Sequence, residues 1–291
     1  MRLAETSNVC NESDNNKETD RETFYFNQKN RSMTLAVLGS GSSGNCYVLQ
    51  NESEALILEA GLPFDSEVKK VLKWDIAKIQ GVLCTHYHND HAGFLKQYDD
   101  AGFKVYTLPE VIEKKGISGL NARALSLAGR WVKIGGFKIL PFPLVHYNTD
   151  GSRCPICGFL ISHRDAGRIC FFTDCQAFSR EVITEDGRIG YEPYDFASVN
   201  HWMMEANYDD YILHMQNLAK PLKERIRRSH MSLNNAIKTA RRIDLNSTRE
   251  ILLIHLSDGN SDDRKFIREM RKATGKRVYA AHAGLQIDYS M

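Results

Sequence analysis

The chain has 291 residues, enough to bury a substantial core as one large domain or two small ones. Its 38 Lys and Arg nearly balance 36 Asp and Glu, and a formal charge of +2 argues against a histone-like binder, although charge can still be local. No apolar run approaches membrane-spanning length, the start Met1-Arg2-Leu3-Ala4-Glu5 lacks a hydrophobic signal core, and 7 cysteines is an odd count; a cytoplasmic protein with free thiols and no membrane partner is expected.

Residues 8–30 are crowded with Asn, Glu, Asp, Lys and Thr, and their apolar cluster is Phe24-Tyr25-Phe26. Such a stretch buries too little to offset ordering entropy. Residues 1–31 are therefore predicted to form a disordered or loosely docked polar extension, and 32–291 the folded domain. Residues 35–38, 46–49 and 55–58 read as three closely spaced strands. Residues 64–72 follow helical spacing through Phe64, Val68, Val71 and Leu72, and 81–84 is a fourth strand. Strands at 103–107, 131–134 and 137–142 come next, with a helix at 109–115. Strands at 158–161 and 169–173 flank Asp165-Ala166-Gly167, a hairpin signal.

In the second half, 197–204 reads as a strand and 208–228 as mostly helix, with Pro221 marking a break or kink. A helix at 232–243, a buried strand at 251–254, a helix at 262–273 and a strand at 278–280 complete the chain. Neither a fixed-period repeat nor a flexible linker divides it. Strands before helices, twice over, predict two sheets packed inside covering helices: an α/β fold (α+β in some schemes) of four-layer αββα type.

The chemistry concentrates in Thr85-His86-Tyr87-His88-Asn89-Asp90-His91, directly after the strand at 81–84. Crowding three imidazoles and a carboxylate at H-x-H-x-D-H spacing is costly for packing alone, because each needs its own partner when buried. As ligands for divalent metals they make immediate sense. Three later residues occupy the same kind of place, the end of an apolar strand-like run: His146, Asp174 and His255. Singly they would read as a loop residue, a helix N-cap and a core histidine. Beside the cluster they become candidate ligands gathered where strands end.

On these residues the chain resembles the metallo-β-lactamase-fold hydrolases, from about Met33 onward. Within them it looks closest to the WalJ (YycJ) type of exonuclease, and it shares features with the transfer-RNA 3′-processing branch. The narrower match is carried by Gly39-Ser40-Gly41-Ser42-Ser43-Gly44-Asn45, Glu205-Ala206-Asn207-Tyr208, Ser229-His230-Met231-Ser232 and His255-Leu256-Ser257. The resemblance implies one metal held by His86, His88 and His146, a second held by Asp90, His91 and His255, and Asp174 bridging them. It implies catalytic roles for Asp90, Glu205 and His230, the last two in proton transfer to the leaving oxygen. The donor set suits Zn²⁺, with Mn²⁺ an option where carboxylates take part. Two such ions can share a hydroxide that attacks a phosphodiester of DNA or RNA.

Lys220, Lys223, Arg225, Arg227 and Arg228 crowd the approach to His230, with Lys238, Arg241 and Arg242 on the next helix. Beside a phosphodiesterase centre they form a candidate backbone track, to which Ser42, Ser43 and Asn45 of the glycine-rich turn are added. The rival readings are a small-molecule ester, thioester or cyclic-nucleotide hydrolase on the same fold, and a non-catalytic nucleic-acid binder.

Some signals mislead. Gly39-x-Gly41-x-x-Gly44 has the dinucleotide-binding spacing, but a strand, not a helix, is predicted to follow it. Cys154-Pro155-Ile156-Cys157 resembles half a zinc ribbon, whose complement would be Cys170 and Cys175; lacking a second C-x₂-C pair, buried thiols are the expectation. Glu59 stands where the resembled family usually carries aspartate, and His163, His201, His214 and His282 receive no role.

Overall fold

A computed structural model describes residues 32–117 and 119–291; the predicted polar extension lies outside them. In chain order the strands and helices are β1 (Thr34–Gly39), β2 (Cys46–Gln50), β3 (Ala55–Leu58), α1 (Ser66–Val71), β4 (Ile79–Leu83), α2 (Asn89–Ala92), α3 (Leu95–Asp100), β5 (Val105–Thr107), α4 (Pro109–Lys115) and β6 (Ala122–Ala124). Then come β7 (Val132–Ile134), β8 (Phe137–Pro143), β9 (His146–Tyr147), β10 (Arg153–Cys154), β11 (Cys157–His163), β12 (Gly167–Phe172), β13 (Ser179–Ile183) and β14 (Ile189–Pro193). The chain ends with β15 (His201–Glu205), α5 (Asp210–Met215), α6 (Lys220–Ser229), α7 (Leu233–Arg242), β16 (Glu250–Ile254), α8 (Asp263–Thr274), β17 (Arg277–Ala280) and β18 (Gln286–Asp288).

Two seven-stranded sheets form the body, ordered β18-β1-β2-β3-β4-β5-β6 and β17-β16-β15-β12-β11-β8-β7. Each is half antiparallel and half parallel: β3 to β6 run parallel in one, β12, β15, β16 and β17 in the other. Parallel strands send their C-terminal ends the same way, so the loops after β4, β12, β15 and β16 can converge.

Side-chain parity explains the layering. Phe159, Ile161, Phe171, Met203, Leu252 and Ile254 join the core shared with the first sheet. Their neighbours Leu160, Cys170, Phe172, Trp202, Met204, Ile251 and Leu253 pack with Leu233 and Ala236 of α7 and Phe266 and Met270 of α8. Because successive residues of a strand point to opposite faces, these continuous apolar runs cover both sides of the second sheet. On the first sheet, Val68 of α1, Leu95 and Tyr98 of α3 and Val111 of α4 are buried as well. The αββα arrangement expected from the sequence is the one observed.

Differences lie where side chains override local pattern. The strand expected at 197–204 begins only at His201, because Ala197 and Ser198 form a turn with Ser198 at φ 57°. The helical span expected at 208–228 is two helices, and Pro221 stands in the first turn of α6. There its missing N–H has no intrahelical acceptor to lose, so it starts a helix instead of kinking one. The β13–β14 hairpin was not anticipated: it pairs outside both large sheets and alternates charge with apolar residues too weakly to read as a buried strand.

Candidate metal centre

Every candidate ligand leaves the end of a strand or the short segment after it. β4 delivers Thr85 and His86, with His88 preceding the single turn of α2 and Asp90 and His91 within it. His146 opens β9, which pairs with β10 through Cys154. Asp174 lies two residues beyond β12, Glu205 ends β15, and His255 follows β16. Asp174 (φ 51°), His255 (φ 55°) and Glu59 (φ 66°) all occupy the left-handed region. Such backbone costs about 1–3 kcal/mol per residue, and it turns each side chain sharply at the strand end. Close approach does the rest. A Cβ on Gly61 would stand 1.9 Å from the Asp90 carbonyl oxygen and 2.5 Å from the Asn45 amide nitrogen, so only glycine lets these segments touch.

The two carboxylate oxygens of Asp174 face different clusters. Oδ2 lies 3.5 Å from His86 Nε2 and 3.7 Å from His146 Nε2, and His146 Nε2 is 3.2 Å from His88 Nδ1. Oδ1 lies 3.5 Å from both His91 Nε2 and His255 Nε2, while Asp90 Oδ2 is 3.4 and 3.2 Å from those same nitrogens. Four donors around a zinc ion at 2.0–2.1 Å sit about 3.4 Å apart along the edges of the tetrahedron. The observed spacings match those edges. His86 Nε2 is buried without a hydrogen-bond partner and aims into the first cluster, as a lone pair awaiting a cation does. The residues fit two divalent ions, with Asp174 able to contact both.

Outer contacts fix the imidazoles. His88 Nε2 lies 3.0 Å from Asn148 Oδ1, so that nitrogen donates and Nδ1 is left to face the cluster. Thr85 Oγ1 stands 3.0 Å from His86 Nδ1, and Glu59 Oε1 3.5 Å from His91 Nδ1. Asn207 Nδ2 donates to the His255 carbonyl at 2.8 Å and lies 3.0 Å from His255 Nδ1. Of these partners the sequence singled out Glu59 by its departure from the resembled family's aspartate, and Asn207 only through its motif. Thr85 carried no signal except adjacency to His86, and Asn148 none except lying two residues from His146.

The side chains of the centre also hold one another's charges. Burial pushes His86 well below the usual histidine value, and it lowers His146 to about 3; both are ready lone-pair donors. Burial also disfavours charge on Asp174 and Asp90, but the neighbouring histidines outweigh it and hold both carboxyls well below the usual range.

Glu205 and His230 group with Asp174 and His255 at ligand spacing, but they are tied first to each other. His230 Nδ1 donates to Glu205 Oε1 at 2.7 Å, a hydrogen bond too short for two ligands of one ion, and Glu205 Oε2 accepts from the Cys175 amide at 3.0 Å. Burial raises the Glu205 carboxyl; on His230 it works against charge, but Glu205 and Asp174 prevail and bring the imidazole up to about 9. Cations beside Asp174 would offset that charge and draw the value back down.

A cleft of about 340 Å³ opens over the centre, lined by His88, Asp90, His146, Asp174, His230 and His255 together with Ser42, Tyr147, Thr149, Arg225, Ser229 and Ser257. Of the basic residues singled out in the sequence, Arg225 reaches this cleft. Arg228 lies over the Tyr147 ring at 5.5 Å, Lys223 Nζ donates to the His214 carbonyl, Lys220 is exposed 3.8 Å from Glu224, and Arg227 is half-buried on α6. Ser43 lines a different hollow. Asn45 is buried, and its amide bonds to Gly41, Asp90 and His91, which spends it on shaping the glycine-rich loop. Cys154, Cys157, Cys170 and Cys175 are buried thiols; burial pushes Cys154 up to about 11 and the other three well above the usual thiol value. Among the described residues no sulfur joins a candidate metal cluster.

Comparison with known proteins agrees with this architecture. Residues 39–145 match the family model of the metallo-beta-lactamase superfamily. The exodeoxyribonuclease WalJ of Streptococcus pneumoniae serotype 2 (strain D39) is 27% identical over 270 residues, covering 88% of this chain and 92% of the relative. Among solved structures, the metallo-beta-lactamase fold protein YhfI of Bacillus subtilis superposes with a TM-score of 0.62 at 15% identity, over 88% of this chain and 99% of its own. Zn²⁺-bound PqqB of Methylobacterium extorquens gives a TM-score of 0.61 at 16% identity, over 88% and 100%. At such identities the two structures speak for the fold. No helix among the described residues is long and apolar enough to cross a membrane.

Proposed function

We propose that this chain, a metallo-β-lactamase-fold hydrolase related to the WalJ branch, is a dinuclear metal-dependent phosphodiesterase that shortens nucleic-acid strands as an exonuclease, with DNA the favoured substrate. The observation that carries the reading is the division of Asp174: one oxygen toward His86, His88 and His146, the other toward Asp90, His91 and His255. The imidazole-rich donors suit Zn²⁺, and the carboxylates admit Mn²⁺. Two cations held there would supply a nucleophilic water at neutral pH and offset the charge of a phosphodiester.

The chain's own groups do the rest. Asn148 and Thr85 orient the His88 and His86 rings, so the centre is formed before substrate arrives. Glu205 fixes the His230 proton at Nδ1 and leaves Nε2 toward the cleft, where a protonated imidazole can donate to the departing oxygen. Arg225 adds positive charge at the rim. Beyond the candidate ligands, the His230 imidazole and the Tyr147 ring, the cleft's lining is hydroxyl, amide and guanidinium with Ile226 its aliphatic member, a poor match for an acyl chain. That polarity favours a phosphodiester over a thioester or lactone.

The test is incubation of end-labelled DNA and RNA with protein reconstituted with Zn²⁺ or Mn²⁺. Progressive shortening of a strand is expected, with loss of activity in Asp174→Ala while the fold survives by circular dichroism. Metal-loaded protein that leaves every nucleic acid intact would sink the reading.

A further inference from the structure

A second hollow of about 390 Å³ adjoins the metal cleft, and the two share Thr149 and Arg225. Arg228 also lines it and lies with its guanidinium 5.5 Å from the Tyr147 ring centroid. Arg153 stacks on the same ring at 4.6 Å, but its charge is taken up by Glu181. Among the described residues, Arg225 and Arg228 have no carboxylate within ion-pair distance. They stand three apart on α6, so they share a face. Of the nearby acids, Asp150 accepts from the Ser152 amide and hydroxyl, and Glu224, which also lines the hollow, lies 3.8 Å from Lys220.

The loop at 147–153 joins this hollow to the metals. It begins next to His146, carries Asn148 against His88, and passes beneath Arg228 at Gly151, whose φ of 87° favours glycine. A Cβ there would lie 3.5 Å from an Arg228 nitrogen. One short loop therefore orients a candidate metal ligand and, through Tyr147, a free guanidinium. An aromatic face holding an arginine restricts its rotamers and leaves its N–H fork for a phosphate.

Resting on the nuclease reading, we propose that Arg225 and Arg228 form a phosphate subsite for the group one nucleotide away from the scissile bond, with Tyr147 as its positioning residue. The substrate class is accordingly a strand carrying a second phosphate beyond the one being cut. A lone phosphodiester or a cyclic nucleotide would leave the subsite empty.

The test uses the full-length, metal-loaded chain and a thymidine dinucleotide with a phosphorothioate link, compared with forms bearing an added 5′- or 3′-terminal phosphate. Calorimetric Kd values should favour one phosphorylated form by about 10- to 100-fold, the reach of charged hydrogen bonds to one phosphate. Arg228→Ala and Arg225→Ala should each shrink that ratio towards one, and so should Tyr147→Leu, whereas Tyr147→Phe, which keeps the ring face, should restore it. Metal content and Tm, measured alongside, separate loss of the subsite from misfolding. Equal binding of all three ligands overturns the proposal, as does undiminished discrimination in Arg228→Ala. Discrimination without cleavage of any strand would uphold the subsite and count against the nuclease reading.

Discussion

Replacing His230 with Gln isolates proton donation from metal binding. His230 bonds to Glu205 at 2.7 Å and stands outside the His86–His88–His146 and Asp90–His91–His255 sets, although it also groups with Asp174, Glu205 and His255 at ligand spacing. General acid catalysis contributes about 10²–10⁴-fold. Because the His230 side chain is 20% exposed, water can replace part of the proton supply, so the lower half of that range is expected, about 10²–10³-fold or roughly 3–4 kcal/mol. Gln retains an amide donor for Glu205 but loses the charge, at a stability cost of about 2 kcal/mol, a few degrees of Tm. The assay compares kcat on a DNA strand with kcat on a p-nitrophenyl nucleotide ester, whose leaving oxygen departs without a proton. His230→Gln should slow the first by the full factor and the second by far less, with two metal equivalents retained. Equal loss on both substrates, or loss of metal, would refute a role for His230 as proton donor.

Other consequences follow from neighbouring groups. Asn148→Ala frees the His88 ring and should weaken metal affinity about 10–100-fold, read by competition with a chelating dye. Gly61→Ala drives a methyl into the Asp90 carbonyl and the Asn45 amide, both backbone; a stability loss of about 3 kcal/mol or more in urea unfolding is expected, with metal lost from the Asp90 side. In metal-free protein the His230 imidazole rises to about 9 from an ordinary 6.5, so its contribution to stability is full below about 6.5 and disappears as pH climbs through about 9. The Tm gap between the native chain and His230→Gln should therefore close over that interval, and loading with metal should move the closure to lower pH.

The sequence by itself determined the fold and pointed to the candidate donors. Short unbroken apolar runs marked β12, β15 and β16, whose two faces are both buried, while spacing of three and four residues marked the helices. Histidines packed after a strand signal chemistry because local spacing alone makes them costly for any other purpose. Pro221 marked the break but not its form, since a proline's effect depends on whether the N–H it lacks would have met an acceptor, which its neighbours decide. Only the tertiary structure decided that Asp174 divides its oxygens between two clusters, that Asn148 orients His88, that Asn45 turns inward, and that Tyr147 gathers Arg228 near the cleft. These relations join residues far apart in the chain through a few ångströms of space. Parallel strand ends and left-handed corners set those distances, and neither is written in any local run of residues.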